Sequence, residues 1–310
     1  MMCLIEDYLF YIKDIRRYSP RTQAIYSDAL RDFADFSEAK TDGALLESLN
    51  RQTLRSYEVF LMENKGVGPR TVALHLSVLS GFCRFLMKEK RLAANPVRTV
   101  AKPKYEKRLP LFYREESMNE YFAVTDCDAS EENLALITGT DKASEEAYSR
   151  RLERLIVSML YSTGMRRAEL IGLRIGDVDF SRRTMIVRGK GDKVREIPLV
   201  SSLCKEISLY LQSVETMVGR VRSASEPLAV TGKGLKLYPV FIDRAVKRAL
   251  GRIGGITGRK SPHVLRHSLA TELLDEGTDL NSIKELLGHS SLAATQVYTH
   301  NTIEKLKKVY

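Results

Sequence analysis

No stretch of the 310 residues approaches the roughly 18 consecutive apolar positions that a membrane span requires. The opening residues, MMCLIEDYLF, lack the basic start and small-residue cleavage site of a secretory leader. Both absences lead to the expectation of a cytoplasmic protein with no membrane partner. Cysteine is scarce. Cys3, Cys83, Cys127 and Cys204 lie too far apart for a CxxC pair or a zinc-spaced Cys/His cluster, so no disulfide framework is expected. Cys83 falls within an apolar helical pattern and reads as core. No carboxylate-rich constellation would hold a metal. Gly258-Arg259-Lys260-Ser261 has a superficial likeness to a phosphate loop, but the required G-x-x-x-x-G-K-[ST] spacing is missing, and neither GxSxG nor HExxH occurs. No metal and no cofactor are therefore expected.

Positive charge is abundant. Lys and Arg total 49 against 39 Asp and Glu, a net +10. The excess is unevenly placed: residues 51–110 are net +9, residues 151–260 net +12, and residues 111–150 between them net −7. Two basic blocks flanking an acidic stretch point to two lobes facing one polyanion. With 44% hydrophobic and 28% charged residues the chain is globular, and its length fits about two domains.

The first hundred residues read as helices only. One helical pattern covers about 3–16, a second opens at Ser19-Pro20 and runs to about 37, a third covers about 52–64, and a fourth opens at Gly68-Pro69. Val72, Leu76, Leu79, Cys83 and Leu86 form one apolar stripe of that fourth helix. Two helix starts look alike, Ser19-Pro20-Arg21-Thr22 and Gly68-Pro69-Arg70-Thr71. Helix N-termini suit phosphate, and an Arg with a Thr adds a cationic fork and a hydroxyl donor. Capping by itself also explains the Ser and the Pro; on spacing alone Arg21, Thr22, Arg70 and Thr71 are either cap-side surface residues or candidate phosphate contacts. Residues 101–110, with two prolines and several bases including Lys102 and Lys104, read as a basic linker that could follow a phosphate backbone.

Beyond the linker, the acidic residues 126–148 read as a surface insertion with a helical piece. Leu152, Leu155, Ile156, Met159 and Leu160 then mark an amphipathic helix that Gly164 is placed to end. Residues 184–188 and 194–198 read as two strands of a hairpin whose tip carries Lys190. The remainder is mostly helix.

Four segments gather polar residues at element ends. Arg166 follows Gly164 at the mouth of a helix. Lys190 sits on the hairpin tip. In Ser261-Pro262-His263-Val264-Leu265-Arg266, Ser261 caps, Pro262 takes the first turn, and His263 and Arg266 share a face. His289 follows Gly288, and Tyr298 comes nine residues later. Each residue has a plain explanation on its own: a surface arginine, a solvated lysine, a helix-start or turn histidine, a half-buried tyrosine. One functional explanation covers the whole set. Arg166 and Arg266 would neutralise the nonbridging oxygens of a phosphodiester, guanidinium forks matching phosphate better than ammonium. Tyr298 would be the nucleophile, Lys190 would protonate the departing 5′ oxygen, His263 would serve as general acid/base, and His289 would hydrogen-bond the phosphate.

TGMRRAELIGL, VRGKGDKVREIPL, HVLRHSLATELL, LLGHSS and VYTH resemble, in order, the successive catalytic boxes of the tyrosine recombinase, or phage integrase, family, and most closely those of the Xer recombinases. The SPRT and GPRTV helix starts resemble that family's core-binding domain, so the likeness spans nearly the whole chain. It assigns the same roles to Arg166, Lys190, His263, Arg266, His289 and Tyr298, and implies an apolar terminal face, Ile303, Leu306 and Val309, docking on a neighbouring subunit. The acidic stretch looks longer than is usual for a Xer protein.

The resemblance implies a mainly α fold with a small β-sheet. A helical-bundle core-binding (SAM-like) domain over 1–100, the linker 101–110 and a mixed α/β catalytic domain over 111–310 would form a C-shaped clamp on DNA. The implied activity is site-specific recombination through a 3′-phosphotyrosyl link, of the type IB topoisomerase kind. The implied partners are a double-stranded DNA recombination site, a homotetramer or a heterotetramer with a related recombinase on two sites, and a septal (FtsK-like) DNA translocase as activator. A Xer role in resolving chromosome dimers at cell division is expected, because no added arm-binding domain is read. The alternatives are an integrase or invertase of a mobile element, and a non-catalytic architectural DNA-binding protein.

Overall fold

Helix-start chemistry and apolar periodicity build the first third of the chain. The structure, a computed structural model, describes residues 3–101, 103, 111–189 and 193–288. The chain divides into two compact units, Met1–Arg108 and Leu109–Tyr310. In the first, α1 (Cys3–Phe10) continues into a wider π-helical turn, Tyr11–Ile15, before α2 (Pro20–Phe36), α3 (Asp42–Ser48), α4 (Arg51–Glu63) and α5 (Pro69–Lys88). The Ser19 hydroxyl accepts the Thr22 N–H and caps α2. Gly68, with no side chain to offer, precedes Pro69 at the first turn of α5. Val72, Leu76, Leu79, Cys83 and Leu86 are all fully buried, the single stripe that the spacing of α5 predicts. Burial pushes the Cys83 thiol up to about 12, so it packs as an inert core group. The unit is helical throughout, and α3 is an element the sequence pattern did not mark.

The second unit is mainly helical around a small sheet. Its helices are α6 (Glu115–Val124), α7 (Asp126–Ala129), α8 (Glu131–Ala135), α9 (Lys142–Thr163), α10 (Arg167–Gly172), α11 (Ser201–Val218), α12 (Pro239–Gly251), α13 (Pro262–Asp275) and α14 (Leu280–Leu287). The strands β1 (Val178–Asp179), β2 (Thr184–Arg188) and β3 (Val194–Pro198) form an antiparallel sheet in that order. Helix α9 is the centre: α11, α12 and α13 all pack on it. Leu152, Leu155, Ile156, Met159 and Leu160 are buried, and so are Val157 and Ser158 between them. A helix covered on nearly every side is a core helix rather than a surface one. Gly164 ends it in the left-handed region, at φ +60°, and a Cβ there would collide with Leu287 of α14. Alternation in the hairpin buries Met185, Val187 and Ile197 and leaves Ile186, Val194 and Glu196 exposed. Among the described residues no helix is long and apolar enough to cross a membrane.

The acidic stretch 126–148 lies largely at the surface and contains the short helices α7 and α8, but it is anchored inward. Asp128, Asn133, Ser144, Ala147 and Tyr148 are buried, and α9 begins at Lys142. The cause is Arg151, whose side chain is fully buried on α9. Its Nε donates to Asn133 Oδ1 at 3.0 Å and its Nη2 to the Ser130 carbonyl. The neighbouring Arg150 pairs with Asp128 at 3.3 Å. A buried guanidinium must be hydrogen-bonded, so the polar segment folds inward to supply acceptors. Replacing Asn133 with Ala removes one of them and should cost about 2 kcal/mol, the scale of a hydrogen bond to a charged group. Urea unfolding checks this; an unchanged midpoint would contradict that anchor.

Candidate active site

The site is assembled at the C-terminal end of α14. A helix leaves its last carbonyls without intrahelical donors, and here three consecutive ones are taken by three different arginines. Arg195 Nε donates to the Leu286 carbonyl at 2.8 Å, Arg266 Nη2 to that of Leu287 at 2.6 Å, and Arg166 Nη2 to that of Gly288 at 2.9 Å. Cations also suit the partial negative charge of a helix C-terminus. Gly288 occupies the left-handed region at φ +65° and turns the chain out of the helix directly before His289.

Local sequence places each arginine. Arg166 precedes α10 in extended conformation, two residues after the glycine that ends α9. Its own N–H donates to Glu169 Oε2 at 2.9 Å and its Nη1 to Glu169 Oε1 at 2.7 Å. A guanidinium carries five N–H groups, so these bonds orient Arg166 without using all its donors, and its side chain keeps 34% exposure. Arg266 is buried on α13; besides Leu287 it donates through Nη1 to the Gly164 carbonyl at 2.5 Å. One guanidinium thus ties the end of α9 to the end of α14.

Glu169 is the anion at the centre of this arrangement, with a side chain only 4% exposed. It also accepts from Arg195 Nη2, at 2.8 Å. Burial opposes its ionisation, yet the hydrogen bonds from Arg195 and from the main chain and side chain of Arg166 outweigh that and hold the carboxyl below its ordinary value. Neither Glu169 nor Arg195 is singled out by the sequence reading. The one signal for Glu169 is its place three residues after a helix-start residue, the spacing of a capping box. Nothing in the strand pattern of Val194–Pro198 marks Arg195.

His263 lies one turn before Arg266 and is exposed. Partial burial of the ring lowers its pKa below the ordinary 6.5, and the charges of Arg167, Arg266 and Arg259 push the same way, against Asp243. The imidazole is neutral at neutral pH and able to accept a proton. Ser261 occupies the capping position of α13, but its hydroxyl makes no cap hydrogen bond, contrary to the expectation from sequence. Instead Tyr113 anchors this entrance: its hydroxyl donates to the Arg259 carbonyl at 2.9 Å and accepts the Ser261 N–H at 3.3 Å.

Arg166, Arg266 and His263 are therefore brought to one region of the second unit. Lys190, His289 and Tyr298 lie outside the described residues, as do Lys102, Lys104 and the terminal face of Ile303, Leu306 and Val309. Arg21 and Arg70 are exposed in the first turns of α2 and α5, with Thr22 and Thr71 beside them, and the Thr22 hydroxyl hydrogen-bonds Ser19 Oγ at 2.8 Å.

Comparison with known proteins agrees with this layout. Residues 130–305 match the phage integrase family and residues 5–90 the phage integrase N-terminal SAM-like domain. A tyrosine recombinase XerC of Chlorobaculum parvum is 33% identical, covering 99% of this chain and 92% of the relative. A tyrosine recombinase XerC of Bacillus subtilis is also 33% identical, over 99% and 94%. In fold, the chain resembles the XerH site-specific recombinase bound to palindromic difH substrate in a post-cleavage complex, with a TM-score of 0.73 and 22% identity over 98% of this chain and 82% of the other. It also resembles a lambda integrase dimer bound to a COC′ core site, with a TM-score of 0.65 and 17% identity over 96% and 76%. Matched along nearly its whole length, with arginines from separate elements gathered on one turn, the chain belongs to the phage integrase family, the tyrosine recombinases.

Proposed function

We propose that this tyrosine recombinase is a Xer-type enzyme of the cytoplasm that cuts and rejoins DNA at a specific site, resolving chromosome dimers before cell division. The observation that carries the reading is the convergence of Arg166 and Arg266 on adjoining carbonyls of one turn. Two guanidiniums aimed at one small region suit the nonbridging oxygens of a single phosphate. The XerC relatives match over nearly their full length, which favours the chromosomal role over a mobile-element integrase.

In this mechanism the Tyr298 hydroxyl attacks the scissile phosphorus and His263 accepts its proton. A bond forms between the tyrosine oxygen and the 3′ phosphate as the bond to the 5′ oxygen breaks. Lys190 protonates that oxygen, His289 hydrogen-bonds the phosphate, and Arg166 and Arg266 offset the charge that grows on it. A 5′ hydroxyl from the partner duplex then reverses the step and joins the exchanged strands. The phosphodiester energy is kept in the tyrosyl ester, so the chemistry consumes no nucleotide. Residues 111–310 act as the catalytic domain. Residues 1–100 act as a DNA-binding domain that uses Arg21, Thr22, Arg70 and Thr71 on the backbone, and Lys102 and Lys104 continue the contact along the linker 101–110. The working assembly is a tetramer on two sites, homomeric or shared with a related recombinase, and a septal DNA translocase is its activator.

A nicked suicide duplex, which traps the cleaved strand, tests the reading. The wild-type chain should form a covalent adduct that Tyr298→Phe abolishes while DNA binding is retained. An adduct surviving in that variant would reassign the nucleophile. The absence of any adduct from the wild-type chain across many site sequences would favour a purely architectural protein.

The neutral His263 makes a second prediction. Adduct formation should fall as the solution is acidified, with a midpoint below the ordinary histidine value, because burial and the neighbouring arginines lower the imidazole's pKa. A midpoint above the ordinary histidine value would contradict a histidine base.

A further inference from the structure

Arg195 is the one member of the arginine cluster that the mechanism above does not use. It lies on β3 paired with Val187 and two residues from the buried Ile197, on the inward face of the sheet where an apolar residue is the rule. Its side chain is only 13% exposed. Burying a guanidinium is costly unless its bonds are made, and Arg195 makes two that diverge: Nε to the Leu286 carbonyl and Nη2 to Glu169 Oε2, each at 2.8 Å.

The surroundings of that fork are the second observation. A Cβ on Gly288 would lie 3.0 Å from Arg195 Nη1, and one on Gly189 would lie 3.3 Å from Glu169 Oε1 and 3.8 Å from Arg195 Nη1. These glycines directly precede His289 and Lys190. The Arg195–Glu169 pair therefore fills the space between the base of the hairpin, the end of α14 and the start of α10, the places from which Lys190, His289 and Arg166 emerge.

We propose that Arg195 is a positioning residue, a planar fork that holds these segments in register and leaves Arg166 its positive charge; the inference rests on the recombinase reading of the site. Glu169 is a single anion shared by two cations. With both arginines present the trio carries a net positive charge. Without Arg195, Glu169 and Arg166 form a neutral pair, and the attraction of Arg166 for a phosphate falls. Arg195 acts on the reaction through Glu169 and Arg166. Lysine would keep the charge but not the geometry, because one ammonium cannot make two diverging bonds from separate nitrogens.

The test measures single-turnover cleavage by the full chain on a nicked duplex that traps the wild-type adduct. It is paired with the same duplex bearing an uncharged methylphosphonate at the scissile position. Arg195→Gln should slow cleavage of the phosphate substrate about 10- to 100-fold, the usual effect of removing a group that orients a reacting one, with the DNA Kd essentially unchanged; Arg195→Lys, which keeps the charge beside Glu169, should be slowed less. On the methylphosphonate, which carries one negative charge fewer than the phosphate throughout the reaction, Arg195→Gln should be slowed less. Equal slowing of Arg195→Gln on both substrates, a lysine variant as slow as the glutamine one, or loss of DNA binding along with activity would each overturn the proposal and leave Arg195 a scaffold residue. A wild-type chain that forms no adduct would overturn the recombinase reading itself, an outcome visible before any variant is compared.

Discussion

A helix leaves its last carbonyls without donors of its own. At α14 the donors are Arg195, Arg266 and Arg166, one carbonyl each in chain order. The rest of the second unit is arranged to deliver them. Helix α9 stops at Gly164, so that Arg166 stands at the mouth of α10 and the Gly164 carbonyl is open to Arg266. Helix α13 presents Arg266 inward and His263 outward, one turn apart. The hairpin brings Arg195 in from the other side. Guanidinium is suited to this because its several N–H groups can bind a carbonyl and still face a ligand.

Positive charge packed this closely would repel itself without a counter-ion, and Glu169 is that ion. It is almost fully buried and accepts from both Arg166 and Arg195. The arrangement has a buried anion at its centre, with Arg166 the arginine of the three most open to solvent. The same logic operates away from the site. Arg151 on α9 is buried and draws Asn133 and Ser130 inward, and Glu153 takes Arg248 of α12 at 2.7 Å. Polar pairing across elements, as much as apolar packing, fixes how the helices lie against α9.

The fold was legible where the signal is local. Pro20, Pro69 and Pro262 each stand in a first helical turn. The α5 stripe is buried, and the hairpin strands occupy 184–188 and 194–198 as their alternation predicts. Signals that depend on a distant partner were not legible. Residues 126–148 look like a solvated insertion until Arg151 is seen to need acceptors, because composition reports charge and not its pairing. Helix α3 is short and β1 has two residues, too few for a period to show. In the site, Arg166 and Arg266 are marked by the helix starts beside them, whereas Glu169 and Arg195 gain their meaning only when β3, α10 and α14 meet.

The central claim is that Arg166 and Arg266 serve one phosphate with Tyr298 opposite. A crystal structure of the Tyr298→Phe chain on uncut duplex carrying its cleavage site tests it directly. The account predicts both guanidiniums within about 3 Å of nonbridging oxygens of the same phosphate, with the residue-298 ring facing its phosphorus. A scissile phosphate held by other side chains, with the two arginines still turned to the end of α14, would contradict it.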